Sequence, residues 1–115
     1  MCTYAFVDYK VHYVCVPCRR SFKQPRRRQE PRCPRCARPM RYAGHDFAAP
    51  RRGDERRWRA VEAVLEAGLR YDGFEPCGCG RQPKPRPRTS AQVRARRRLA
   101  ARTGLPEADA LSLQL

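Results

Sequence analysis

Two Cys-x-x-Cys pairs stand early in the chain, Cys15-Val-Pro-Cys18 and Cys33-Pro-Arg-Cys36, in the overall spacing C-x2-C-x14-C-x2-C. Such a turn can aim two sulfurs and several backbone N–H groups at one spot, and two turns together supply the four thiolates of a tetrahedral zinc site. Disulfides and thioredoxin-like redox chemistry are the competing uses of these residues. The chain has seven cysteines, an odd number, and its first ten residues lack a basic stretch and place Asp8 where an apolar run would continue. Nothing there reads as a secretory leader, so a reducing, cytoplasmic setting is expected, in which paired cysteines more often hold metal. A redox Cys-x-x-Cys opens a helix. The residues that follow Cys18 (Arg-Arg-Ser-Phe-Lys) and Cys36 (Ala-Arg-Pro-Met) do not read as helix starts. The expectation is one structural Zn2+ on Cys15, Cys18, Cys33 and Cys36.

A second, weaker constellation is Cys77-Gly-Cys79, which with Cys2 and either His45 or His12 would make four more ligands. C-x-C is a poor template and the partners are far apart, so free or packed cysteines are the competing reading. His45-Asp46 invites a catalytic reading, but no paired carboxylates and no nucleophile–base set accompany it. An enzyme and a small-molecule substrate are not expected.

The remaining chemistry is charge. Lys and Arg number 26 against 11 acids, a net charge of +15 on 115 residues, which exceeds what solubility needs and is the footprint of a polyanion binder. The cations cluster at Arg26, Arg27 and Arg28, along the Pro-rich approach with Lys84, Arg86 and Arg88, and at Arg94, Arg97, Arg98 and Arg102. The last four fall on one face of a helix, and no acid lies between Arg81 and Arg102. Like charges at i,i+4 destabilise an isolated helix, and a polyanion relieves that strain.

The elements that must position these residues are legible in part. Residues 9–14 alternate and are rich in β-branched and aromatic types, the pattern of a strand entering the first pair, with short strand-like pieces at 21–23 and 40–42. Between them Pro25 and Pro31 exclude a helix and suggest the loop at the tip of a hairpin. Residues 44–53 read as a linker. A helix begins near Asp54, with Trp58, Val61, Val64, Leu65 and Leu69 as its apolar stripe and Glu55–Arg59 and Glu66–Arg70 as i,i+4 pairs; Gly68 can cap it, and a short strand is expected over 70–74. A second helix is expected over 90–103, opened by Thr89 and Gln92 in capping-box spacing and stopped by Gly104, with Ala91, Ala95 and Leu99 as its apolar face. The last residues are expected to fray. No apolar run approaches the ~18 residues of a membrane span, so no membrane partner is expected.

Residues 13–42 resemble the zinc-ribbon superfamily common in ribosomal proteins, polymerase subunits and transcription factors; Pro39 argues against the alternative treble clef, whose last ligands start a helix. The whole chain, through "YVCVPCRRSFKQP", "CPRCARPM", "HDFAAPRRGDERRWRAV" and "RPRTSAQVRARR", is similar to small zinc-ribbon proteins of high-GC bacteria, a resemblance that brings no established activity. Arg19 and Ala37 stand where such ribbons often have glycine. The expected fold is a small α+β metal-stabilised domain, two Cys-x-x-Cys knuckles on a β-hairpin followed by two helices. Its divisions are a zinc ribbon over 1–43, a linker, amphipathic helix and short strand packed on it over 44–80, and a Pro/Arg-rich extension with a basic helix over 81–115. The expected function is nucleic-acid binding, RNA favoured over DNA and the ribosome a candidate partner. The alternatives are a polymerase-associated or DNA-binding transcription factor and a protein-interaction adaptor using the Trp58 stripe.

Overall fold

Lys-Val-His-Tyr-Val-Cys forms strand β1 (Lys10–Cys15) in the computed structural model, which describes residues 10–71 and 85–113. The chain turns back through the first cysteine pair into β2 (Arg20–Pro25), with Cys15 opposite Arg20 and Lys10 opposite Pro25. Strand β3 (Arg41–Gly44) pairs antiparallel to the other edge of β1, giving the order β2-β1-β3. This corrects the expected hairpin. Because β2 and β3 flank β1, residues 26–40 cross from one edge of the sheet to the other, and Arg26, Arg27 and Arg28 open that crossover instead of turning a hairpin tip. Pro25 ends β2, having no N–H to extend the ladder. The crossover then brings the second cysteine pair back to the end of β1 that carries Cys15.

Val11, Tyr13 and Cys15 share one face of β1 and pack with Cys33 and Met40, while Cys18, Phe22 and Tyr42 close the margin half-buried. The expected linker is held at Phe47, which is buried and meets the rings of His12 and Tyr71 edge-on. Of the expected strand over 70–74, only Arg70 and Tyr71 are described, and they are not strand. Tyr71 instead donates to the carbonyl of Ala43 and accepts from the N–H of Asp46.

Contacts divide the described residues into two units, 10–49 with Tyr71, and 50–70 with 85–113. The second unit is helical, so α1 (Glu55–Glu66) shares it with α2 (Ser90–Thr103) and α3 (Glu107–Leu111), a grouping that differs from the division expected at 43/44 and 80/81. Asp54 caps α1 by accepting from the N–H of Arg57, and Trp58, Val61, Val64 and Leu65 are buried with Ala60 and Ala63. The Trp58 indole N–H donates to the carbonyl of Arg51. The helix stops at a Schellman motif: Gly68 takes φ 87°, its N–H bonds the Leu65 carbonyl, and the N–H of Leu69 bonds that of Val64. Arg70 therefore lies outside the helix and does not pair with Glu66 as expected; its guanidinium donates to the carbonyls of Leu65 and Leu69.

Helix α2 keeps its expected ends. Thr89 accepts from the N–H of Gln92, the Gln92 amide oxygen accepts from the N–H of Arg88, and Gly104 closes the helix at φ 78°. Its buried face is a correction: Val93 and Arg96 are buried, whereas Ala91 is exposed and Ala95 and Leu99 are half-buried. Ala60 and Ala63 give α1 a shallow surface on which Val93 and Leu111 pack, with Ala67 and Leu69 at the margin. The tail does not fray through residue 111, because α3 buries Ala110 and Leu111 completely. No helix among the described residues is long and apolar enough to cross a membrane.

Candidate metal centre and basic surface

The sheet brings the two cysteine pairs to one end of β1. Cys15 is the last residue of that strand, Cys18 closes the turn into β2, and Cys33 and Cys36 arrive on the crossover. A small ladder holds the second pair in place: the N–H of Cys33 bonds the carbonyl of Arg38, Met40 bonds Pro31, and Arg32 bridges to Pro39. The four sulfurs lie within 4.8 Å of one another. Cys15 Sγ is 3.6 Å from Cys36 Sγ and Cys33 Sγ is 4.0 Å from Cys18 Sγ. A disulfide needs about 2.05 Å, and all four thiols are free. A tetrahedron of sulfurs at ~2.3 Å from a central zinc has edges of ~3.8 Å, so the two separations fit one tetrathiolate metal site.

Electrostatics at this cluster follow from packing sulfurs together. Burial pushes the Cys15 thiol up to about 12. At Cys18 the hydrogen bond with Cys15 pulls down, and the contacts with Cys36 and Cys33 together with burial outweigh it, so that thiol is raised. Burial also pushes Cys33 up, but the backbone N–H groups of Cys36 and Arg35 and the neighbouring thiols draw it down to about 7. Arg35 N–H stands 3.4 Å from Cys33 Sγ, the donor arrangement that stabilises a thiolate. A divalent cation at the centre of the four sulfurs favours the deprotonated form of each. The two residues noted where such ribbons often have glycine are the ones that let these turns close. Arg19 takes φ 52° and Ala37 φ 61°, the left-handed conformation that glycine adopts without strain, and the signal was their place directly after the second cysteine of each pair.

No family model matches the chain, and neither the curated proteins nor the solved structures yield a match.

Among the described residues the four cysteines form the one gathering of three or more potential metal ligands. Of the second constellation, Cys2, Cys77 and Cys79 lie outside the described residues; His45 is half-buried beside β3. His12, the alternative ligand, has its imidazole pKa lowered, by burial first and then by Lys23.

The cations expected to act together fall in two places. Arg26, Arg27 and Arg28 are exposed on the crossover. The Arg26 guanidinium lies over the Tyr42 ring, 5.1 Å from its centroid, and the N–H of Arg27 donates to the Tyr13 hydroxyl. On α2, Arg94, Arg97, Arg98 and Arg102 are all exposed, and Arg97 pairs with Glu107 of α3. Arg94 and Arg97 also border a cleft of about 290 Å³ whose other wall carries Glu62 and Glu66 of α1. Arg94 and Arg97 thus have acids beside them, Glu62 and Glu66 across the cleft, where Arg59 also stands, and Glu107 at Arg97. Lys84 lies outside the described residues, Arg86 is half-buried and donates to the carbonyls of Arg70 and Pro85, and Arg88 is exposed. Arg96, which sequence did not single out, is turned inward and donates to the carbonyls of Gln92 and Leu113.

Proposed function

We propose that the protein is a cytoplasmic zinc-ribbon protein that uses one structural zinc to hold the crossover on its sheet and binds RNA, the ribosome included, through arginine–phosphate contacts. The observation that carries this reading is the row Arg94, Arg98 and Arg102, exposed at i,i+4 spacing with no side-chain partner among the described residues. Three like charges one turn apart disfavour their own helix, and phosphates relieve that repulsion while releasing counterions. Zinc is favoured as the metal because four thiolates in a closed tetrahedron are its structural donor set. RNA is favoured over DNA because a Pro/Arg-rich sequence suits a reader of backbone and shape. The adaptor alternative rests on the stripe Trp58, Val61, Leu65 and Leu69; the first three are buried and Leu69 is half-buried, which leaves that stripe little open surface. A polymerase-associated or DNA-binding role shares the same cations, and competition between duplex DNA and RNA separates the two.

Measuring affinity for an rRNA fragment over a range of salt tests the proposal. Each phosphate contact contributes about −0.7 to −0.9 to the log–log slope, so changing Arg94, Arg98 and Arg102 together to glutamine is expected to flatten it by roughly two to three with metal content unchanged. Equal affinity and slope in parent and triple variant would overturn the reading.

A further inference from the structure

The crossover that carries Arg26, Arg27 and Arg28 is fastened to two tyrosines at three points. The backbone N–H of Arg27 donates to the Tyr13 hydroxyl, the Glu30 carboxylate accepts from the backbone N–H of Tyr42, and the Arg26 guanidinium carbon lies over the Tyr42 ring, 5.1 Å from its centroid. Tyr13 is itself locked: its ring is 1% exposed and meets Tyr42 edge-on at 5.8 Å between centroids. The register explains why these rings meet, since Tyr13 on the central strand faces Tyr42 on β3 directly. A surface arginine ordinarily gives up considerable rotamer freedom to hold one position. Here the Arg26 cation is held over an aromatic ring that the sheet has already fixed, and Arg26 is exposed.

A planar cation ordered from beneath and open above matches one ligand shape better than a phosphate does. Phosphate takes the guanidinium edge, through paired N–H donors; a flat aromatic heterocycle takes its face. Unpaired bases offer such a face, and in a continuous duplex it is occupied by neighbouring base pairs. Exposed Arg27 and Arg28 follow at once on the same crossover and add positive charge beside Arg26.

We propose that Arg26, supported by Tyr42 and with the crossover positioned by Tyr13, is a stacking platform for an unpaired nucleobase, so that the sheet unit selects single-stranded or looped RNA over continuous duplex. This rests on the RNA-binding reading above and adds to it a contact that is not electrostatic. A base in this place would lie on the guanidinium, over the ring of Tyr42.

The experiment compares three probes on the metal-loaded protein by fluorescence anisotropy: a short single-stranded oligouridine RNA, an abasic ribose–phosphate strand of equal length, and an RNA duplex. The parent is expected to bind the oligouridine about tenfold more tightly than the abasic strand, the scale of one base stacked on a planar side chain. Arg26→Lys keeps the charge and removes the plane. It is expected to lower oligouridine affinity to the level of the abasic strand, with the salt slope and metal content unchanged, while Arg56→Lys, at an exposed position of α1, leaves the tenfold difference intact. Equal binding of oligouridine and abasic strand by the parent, with a steep salt slope, overturns the platform and leaves the phosphate reading standing. So does an Arg26→Lys variant that keeps full discrimination. Failure of all three probes to bind at low salt overturns both.

Discussion

The sheet unit and the helical unit both need residues in the left-handed backbone region, and they fill them differently. In the helical unit the positions are glycines, Gly68 at the end of α1 and Gly104 at the end of α2. In the sheet unit they are Arg19 and Ala37, each directly after a cysteine pair. A side chain in that conformation costs roughly 1–2 kcal/mol per residue. A helix end has only its caps to oppose such a cost, so it takes glycine; a turn whose sulfurs can share a metal has a further means of holding arginine and alanine there. The apolar cores point the same way. Cys15 and Cys33 are themselves members of the sheet unit's buried cluster, whereas the cluster joining the three helices is built of Ala60, Ala63, Val93 and Leu111 and owes nothing to sulfur.

Breaking the metal site is therefore the largest expected effect, and it should be lopsided. Structural zinc contributes apparent free energies on the order of 10 kcal/mol in small domains, and here that ligation is expected to be most of what folds the sheet unit. Cys33→Ser, or a strong chelator on the parent, should abolish metal binding and collapse hydrogen-exchange protection at Tyr13 and Val14, with a smaller loss at Val61 and Val93. Equal loss in both units would remove the distinction drawn between them. Acid should act in the same direction. A metal bound there would displace protons from the thiols, with Cys15 pushed up to about 12 and Cys33 drawn down to about 7. Below pH 7 there is thus a further proton to displace, and metal affinity should fall more steeply there than above it. Metal content followed by mass spectrometry against pH reads this directly.

The second effect is of the order of 1 kcal/mol and opposite in sign in the two units. No atom lies within 4 Å of where a Cβ would stand on Gly68 or Gly104, so alanine there meets open space and pays only the backbone strain. Gly68→Ala is expected to destabilise by about 1 kcal/mol. Ala37→Gly relieves the same strain and should stabilise the sheet unit by up to about 1 kcal/mol, the flexibility of glycine in the unfolded chain taking back a part. Denaturant midpoints on the metal-loaded proteins test both. A destabilising Ala37→Gly would mean that the turn is not strained.

How far each unit could be read from sequence follows the same line. Caps are local, so Asp54, Gly68, Thr89 and Gly104 announced the helix ends within a residue or so. The spacing of Cys15, Cys18, Cys33 and Cys36 announced a cluster that does assemble. What stayed hidden was long-range. Nothing within residues 20–44 shows that β2 and β3 flank β1, because strand order depends on pairings across the crossover. Nor does the sequence of α2 reveal that Arg96 turns inward, since its acceptor at Leu113 lies 17 residues on. Polarity alone points to Ala91, Ala95 and Leu99 as the buried face, and the apolar residue that packs is Val93, which fits against Ala60 and Ala63 of another helix.

The smallest effect separates stability from charge within the helical unit. Arg97 pairs with Glu107, both about half exposed, and exposed pairs of this kind are worth only a few tenths of a kcal/mol. Glu107→Gln should therefore barely move the denaturation midpoint, with a small added loss because an acid leaves the first turn of α3. Its effect on a polyanion should be larger and of the opposite sense. Freed of its carboxylate, Arg97 joins Arg94, Arg98 and Arg102, and RNA affinity at low salt should rise about two- to threefold, with the salt slope steepened by at most one further contact. Titrating parent and variant with the same rRNA fragment at low and high salt reads both quantities. Weaker binding by Glu107→Gln would mean that α3 orders the α2 face through this pair, and the role of Glu107 would then be to position the basic helix rather than to mask it.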